Sequence, residues 1–366
     1  MSWSTVRADQ FCTLITDGTH DSPKPQQSGR KLITSKHLKG HYIDFDSANW
    51  ISEADYQKVI SRSAVEQWDI LFSMIGTIGN IYLENNPHVE YACKNMGIFK
   101  FSGNKADAFW MYYYLKSPQA KAYIQTHLRG STQAYMPLGG LRDMPVPVPP
   151  QSVRNAIIAI LRPVDEKIVC NNAINDNLRQ QAAALFANFY DRAETEVGFT
   201  EIIQILGGGT PKTGESSYWN GNVPFFTPKD VGSPYTLATE KTITEEGLAH
   251  CNSRLYPINT VFVTARGTVG KVGLPGVPMA MNQSCYALVG KDTHQLLVYF
   301  YTLKAVDRLK HKASGAVFDA ITTRDFESEI IMKLSDDDEK AFLDVAQPIY
   351  QAVLSNSIEN LGLAAL

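Results

Sequence analysis

The side chains able to do chemistry gather in Gly- and Pro-rich loops, and they come in two sets. Thr19 and His20 open DGTHDSPKPQQSGR, which closes on Arg30; Lys31 and Lys36 follow in KLITSK, and Arg129, Ser131 and Gln133 share RGSTQAYM. Much later, Thr210, Lys212 and Thr213 occupy GGGTPKTG, Lys229 ends FFTPK, Arg266 precedes GTVG, and Ser314 lies in HKASG. Hydroxyls, amides and cations on exposed loops hydrogen-bond polar groups and bind anions. Covalent chemistry needs more, and its signatures are missing. No GxGxxG follows a strand, no GxxxxGK[ST] occurs, and the glycines of GGGTPKTG have the wrong spacing for a phosphate loop. The eight His include no close ligand pair, and the five Cys lie far apart, which points to reduced structural thiols rather than a metal site. Asp165 and Glu166 fall on a long helical run as a surface charge pair.

Two of the elements that must hold these loops announce themselves by periodicity. In residues 151–190, Ile157, Leu161, Val164, Ile168, Asn171, Asn175 and Leu178 recur at alternating steps of four and three, the seam of a coiled coil. Phe342, Ala346, Ile349, Val353, Asn356, Asn360 and Leu363 repeat it at one offset of 185, and Pro348 falls on Pro163. Such a pair of helices buries its stripe by folding back antiparallel, with the seam Asn fixing register at some cost in stability.

The loops repeat in the same order. Thr210 takes the place of Thr19 at an offset of 191, FFTPK that of LITSK at 193, and Gly267 to Gly270 that of Gly76 to Gly79 at 191. The drift is what insertions and deletions in two diverged copies produce, and it makes the chain an internal repeat. The domains expected are 1–150, a first globule of short strands with a helix over Ala106 to Thr126; 151–190, a long helix; 191–334, a second globule; and 335–366, a shorter second helix. The fold class is α+β: two similar α/β domains joined by two long antiparallel helices in an approximate two-fold. The stripe Trp110, Tyr112, Tyr113 and Tyr114 is expected to pack the first domain's helix.

The net charge is −3, but six Asp and Glu against one Lys lie in residues 335–366, so the globules are neutral to slightly basic. Charge therefore permits nucleic-acid binding without demanding it. No apolar run is long enough to cross a bilayer and the N-terminus lacks the regions of a signal peptide, so the sequence reads as cytoplasmic.

A GTIG-type hairpin, a GSTQ-type turn, a PVPVPPQS bridge and a helix VDEKI...NLRQQAAALFANFY, run twice, resemble the DNA specificity subunit of type I restriction-modification systems. The resemblance implies two target recognition domains, each reading half of a split double-stranded DNA site. It implies helices that space them and dock two methyltransferase (modification) subunits, with restriction/translocase subunits joining the complex. On that reading the chain is non-catalytic and carries no cofactor, S-adenosylmethionine belonging to the partner methyltransferase; no Asn-Pro-Pro-Tyr is present, Asn86, Pro87 and His88 coming nearest. Lys and Arg would meet phosphates and guanine edges, and Asn, Gln, Ser and Thr the bases. The DNA-binding set is then Thr19, His20, Arg30, Lys31, Lys36, Arg129, Ser131, Gln133, Thr210, Lys212, Thr213, Lys229, Arg266 and Ser314. The alternative is a duplicated protein-interaction scaffold that binds no DNA.

Overall fold

A computed structural model of the chain describes residues 3–312 and 320–365. It divides into two compact units, Met1–Glu166 and Lys167–Leu366.

The first unit is built on the run Ile70–Ser73, buried along its whole length. Successive strand residues face opposite sides of a sheet, so Ile70 and Phe72 enter one core with Phe99, Trp110 and Met111, while Leu71 enters another with Ile33, Cys93 and Ile98. A strand covered on both faces is continuously apolar. It is central in an antiparallel sheet ordered Leu14–Asp17, Met96–Lys100, Ile70–Ser73, Ile81–Leu83. A smaller sheet orders Asn49–Ile51, Arg30–Ile33 and Tyr91–Cys93, the last two parallel. Ser4–Arg7 pairs with Pro145–Val148 to close the unit.

The helix expected over 106–126 is two, Lys105–Lys116 and Pro118–His127. Pro118 lacks the N–H that would continue the first, and its fixed φ suits a helix start. Ser117 caps the second by accepting from Ala120 N at 3.2 Å. Trp110, Tyr112 and Tyr114 are buried against the sheet, as a packing stripe requires.

The second unit repeats this layout. Ile203–Gly207, Cys285–Gly290, Val261–Thr264 and Val272–Pro275 succeed one another in the larger sheet, with the short Tyr235–Thr236 added at its edge. Lys241–Ile243, Trp219–Phe226 and Ala280–Met281 form the smaller one, and Thr195–Gly198 pairs with Ile330–Lys333. Val261 and Val263 face one core and Phe262 another, the division seen around Leu71.

Gln151–Asp191 is one helix with Pro163 inside it, and Asp336–Ala364 is another with Pro348 inside it. Asp336, Asp337, Asp338 and Glu339 fill the first turn of the latter, beneath the Ser335 cap, where the helix dipole favours negative charge. Much of the acidity of residues 335–366 is therefore a helix start.

Within the second unit these helices run antiparallel. Asn171 Nδ2 donates to Glu359 Oε2 at 2.8 Å and to Asn360 Oδ1 at 2.9 Å, and Asn356 Nδ2 donates to Asn175 Oδ1 at 2.8 Å. Near the other end, Phe186 meets Phe342 at 5.4 Å between ring centroids. The last helix thus lies beside the stretch from Lys167 to Tyr190, with Val353 and Phe342 buried and Ile349 half-buried. Ile157 packs instead on the first unit's core, and Leu161 lines an apolar hollow there with Trp110 and Tyr114. One seam in sequence serves two surfaces, because its first turns meet the aromatic helix Lys105–Lys116. Beyond Leu178 the buried positions are Ala182, Phe186 and Tyr190, since Gln295–Lys312 covers that end as well.

No described helix is long and apolar enough to cross a membrane.

Candidate nucleic-acid interface

Strand register decides which loops share an end. In the first unit Asp17 stands opposite Gly97, Ser73 opposite Met96, and Ile33 beside Cys93. The chain segments leaving Asp17, Ile33, Ser73 and Cys93 therefore emerge along one rim. Backbone bonds tie them together: Thr19 N donates to Cys93 O and Lys94 N to Ile33 O, both at 2.9 Å. Gly76, at φ +82°, faces Ser35, and that left-handed backbone lets the turn from Met74 to Asn80 fold over beside Lys36. Met136 N donates to Met74 O at 2.9 Å, bringing in the turn that Arg129 and Tyr135 close with two mutual bonds.

Lys36, Arg129, Ser131 and Gln133 are exposed on this rim, and neither cation has an ion-pair partner among the described residues. Thr19 is buried, and its hydroxyl accepts from Asp21 N at 3.1 Å, so it shapes the loop. His20 is held at both nitrogens, Nδ1 2.8 Å from Asn95 Oδ1 and Nε2 2.8 Å from Asp17 Oδ2. The bond to Asn95 and that to Asp17 hold its pKa above the ordinary imidazole value. An imidazolium donating from both nitrogens is the form these partners favour.

Arg30 and Lys31 start a strand whose far end reaches the rim. Arg30 pairs with Glu53 at 3.1 Å and Glu90 at 2.7 Å. Lys31 donates to Ala48 O at 2.9 Å and sits 3.9 Å over the Trp50 ring. Register separates them from the loop residues of the rim.

The second unit has the same rim. Gly207 stands opposite Tyr286, Thr264 opposite Cys285, and Phe226 beside Met281. Gly209 N donates to Met281 O at 3.1 Å, Asn282 N to Phe226 O at 2.9 Å, and Ile321 N to Ala265 O at 2.9 Å. The Thr268 hydroxyl donates to Pro228 O at 3.2 Å, joining the Gly267 turn to the loop of Lys229. Arg266, Lys212 and Thr213 are exposed, and neither cation has an ion-pair partner among the described residues. Lys229 stands 3.7 Å from Glu240. Thr210 donates its hydroxyl to Gln283 Oε1. Ser314 lies outside the described residues.

These bonds correct one alignment. The donor equivalent to Thr19 is Gly209, so Thr210 corresponds to His20, an offset of 190 rather than 191. Asn95 and Gln283, which hold His20 and Thr210, are rim residues that pattern did not single out. Their only signal is a short polar run, Lys94–Asn95 in one unit and Asn282 to Ser284 in the other, placed between two buried strands.

The family model for the type I restriction modification DNA specificity domain matches residues 3–180 and 195–339. The chain belongs to that family. The two matched segments each carry one of the rims described above. Among curated relatives, the MjaIX type I restriction enzyme specificity subunit of Methanocaldococcus jannaschii is 32% identical over 124 residues, 32% of this chain and 29% of that protein. The EcoR124I/EcoR124II specificity subunit of Escherichia coli is 26% identical over 213 residues, 54% of this chain and 51% of that protein. The chain spans about half or less of the length of these two relatives. The crystal structure of a type I restriction-modification S subunit from M. genitalium has the same fold, with a TM-score of 0.56 at 13% identity, covering 100% of this chain and 94% of that one.

Proposed function

We propose that this member of the specificity family is the non-catalytic DNA-recognition subunit of a type I restriction-modification complex. Each unit reads one half of a bipartite double-stranded site through its rim. The chain directs two methyltransferase subunits, and with them restriction/translocase subunits, to that site in the cytoplasm. S-adenosylmethionine belongs to the methyltransferase.

The supporting observation is the duplicated rim, where backbone bonds at matching places carry exposed cations, Lys36 and Arg129 in one unit and Lys212 and Arg266 in the other. Cations without carboxylate partners are available to phosphates, and groups between them to base edges. What recurs is the frame: each copy of it presents two of these cations, on different loops in the two units, as two recognition surfaces of one architecture would.

The test is binding of the full chain, with its methyltransferase partner, to duplexes selected from random DNA. Selection of a two-part sequence, with affinity falling steeply as salt rises, is expected. Binding without sequence preference, or no binding at all, refutes the reading.

A further inference from the structure

The two rims share a detail finer than their loops. Because Thr19 N and Gly209 N make equivalent bonds, to Cys93 O and Met281 O, the next loop residues, His20 and Thr210, occupy equivalent places. Lys94 N and Asn282 N likewise make equivalent bonds, so Asn95 and Gln283 match as well. His20 lies 2.8 Å from Asn95 Oδ1, and Thr210 donates to Gln283 Oε1. Each unit therefore anchors the oxygen of a rim amide on the third residue of its loop, with different side chains in the two copies.

The anchoring requires the loop to press on the strand turn. A Cβ on Gly18 would lie 2.3 Å from Cys93 O, and one on Gly208 would lie 2.1 Å from Asn282 O. Only glycine permits that approach in either unit. The amide NH2 of Asn95 and that of Gln283 have no partner among the described residues.

A carboxamide is the neutral side chain that sets a donor and an acceptor side by side, the pattern that matches adenine N7 and N6 in the major groove. Its oxygen keeps a second lone pair after accepting one bond. An amide already oriented by His20 or Thr210 loses less freedom on contact. Resting on the DNA-recognition reading above, we infer that Asn95 and Gln283 are base-reading side chains, one per half-site, with adenine the matched base.

Asn95→Asp and Gln283→Glu test this. Each keeps the shape and the oxygen that His20 or Thr210 holds, and replaces the free donor by an acceptor. Asp also tolerates the φ of +55° at position 95. The full chain and each variant, with the methyltransferase partner, are run through selection from random duplex DNA. Affinity for the selected site is then compared with that for a scrambled duplex. The wild type should prefer adenine at one position of each half-site. Asn95→Asp should cost roughly 10- to 100-fold in that ratio at one position of one half-site, and turn the preference toward a base offering a donor, such as cytosine. Gln283→Glu should do the same in the other half-site alone. Unchanged preferences, or equal loss at every position of both half-sites, overturn the inference while leaving the wild-type selection intact. A wild type that selects nothing overturns the DNA-recognition reading and this inference together.

Discussion

The loops carry seven candidate phosphate ligands, and the structure sorts them by what already neutralises them. Arg30 has two carboxylates, Lys31 is seated on a carbonyl and the Trp50 ring, and Lys229 stands near Glu240. Lys36, Arg129, Lys212 and Arg266 are exposed without an ion-pair partner among the described residues. Each phosphate contact adds about 0.9 to the slope of log affinity against log salt. Four such contacts give a slope of about 3.6, and affinity should fall about 150-fold between roughly 50 and 200 mM salt. Changing one of the four to Gln should lower the slope by about 0.9, and changing all four should nearly flatten it. Arg30→Gln should leave the slope where it was, because that guanidinium is neutralised before DNA arrives. The assay is fluorescence anisotropy of a labelled duplex against the full chain over a salt series. If Arg30→Gln lowers the slope as much as Lys36→Gln, or the fourfold variant keeps the wild-type slope, ion pairing does not select the phosphate ligands.

Lys100 holds Asp69, which is 1% exposed, at 2.7 Å, and burial nonetheless pushes that carboxyl above its ordinary value. Lys100→Met should therefore cost about 3–5 kcal/mol in urea unfolding at neutral pH, less in acid where Asp69 takes up a proton; Lys100→Met with Asp69→Asn should recover much of the loss. Phe186 stacks on Phe300 at 4.9 Å and meets Tyr301 and Phe342, so Phe186→Ala should cost about 3–5 kcal/mol and lower amide protection in both helices of the second unit. A loss under about 1 kcal/mol would show that the helix end is not anchored there. His20 should titrate by NMR above the usual imidazole value of about 6.5, because Asn95 and then Asp17 favour the charged ring while Arg62 opposes it. A raised folded value means that the tether is fully present below the unfolded pKa and fades as pH rises through the folded one; Asp17→Asn should bring the titration down, and an unmoved titration would count against the tether.

The legible parts of the sequence were those with a period or a backbone demand. The rods showed in the four-three spacing, and the turns in glycines at Gly76 and Gly267, where the backbone takes φ of +82° and +80°. Antiparallel pairing followed from two like apolar stripes, but not which turns would pair. That depended on aromatic helices whose positions a heptad does not record, so Ile157 serves the first unit's core and Phe186 and Tyr190 complete the second's. Ion pairing was illegible for the same reason. Glu53 and Glu90 lie 23 and 60 positions beyond Arg30, and only the sheet brings them to it.

The amides were hidden by the way the rim is built. Its frame is made of main-chain bonds, such as Met136 N to Met74 O and Ile321 N to Ala265 O, which any residue but proline can donate. A frame of that kind tolerates exchange of the side chains it displays, so His20 with Asn95 and Thr210 with Gln283 hold equivalent places without a shared motif. What the duplication preserves in sequence is the glycines that let backbones meet and the apolar runs that fix register. The residues free to differ between copies are the ones that face outward, which is what the proposed reading of two unlike half-sites from one architecture requires. On the proposed function, the target would change by substitution on the rim, with Gly18, Gly208 and the strands behind them left alone.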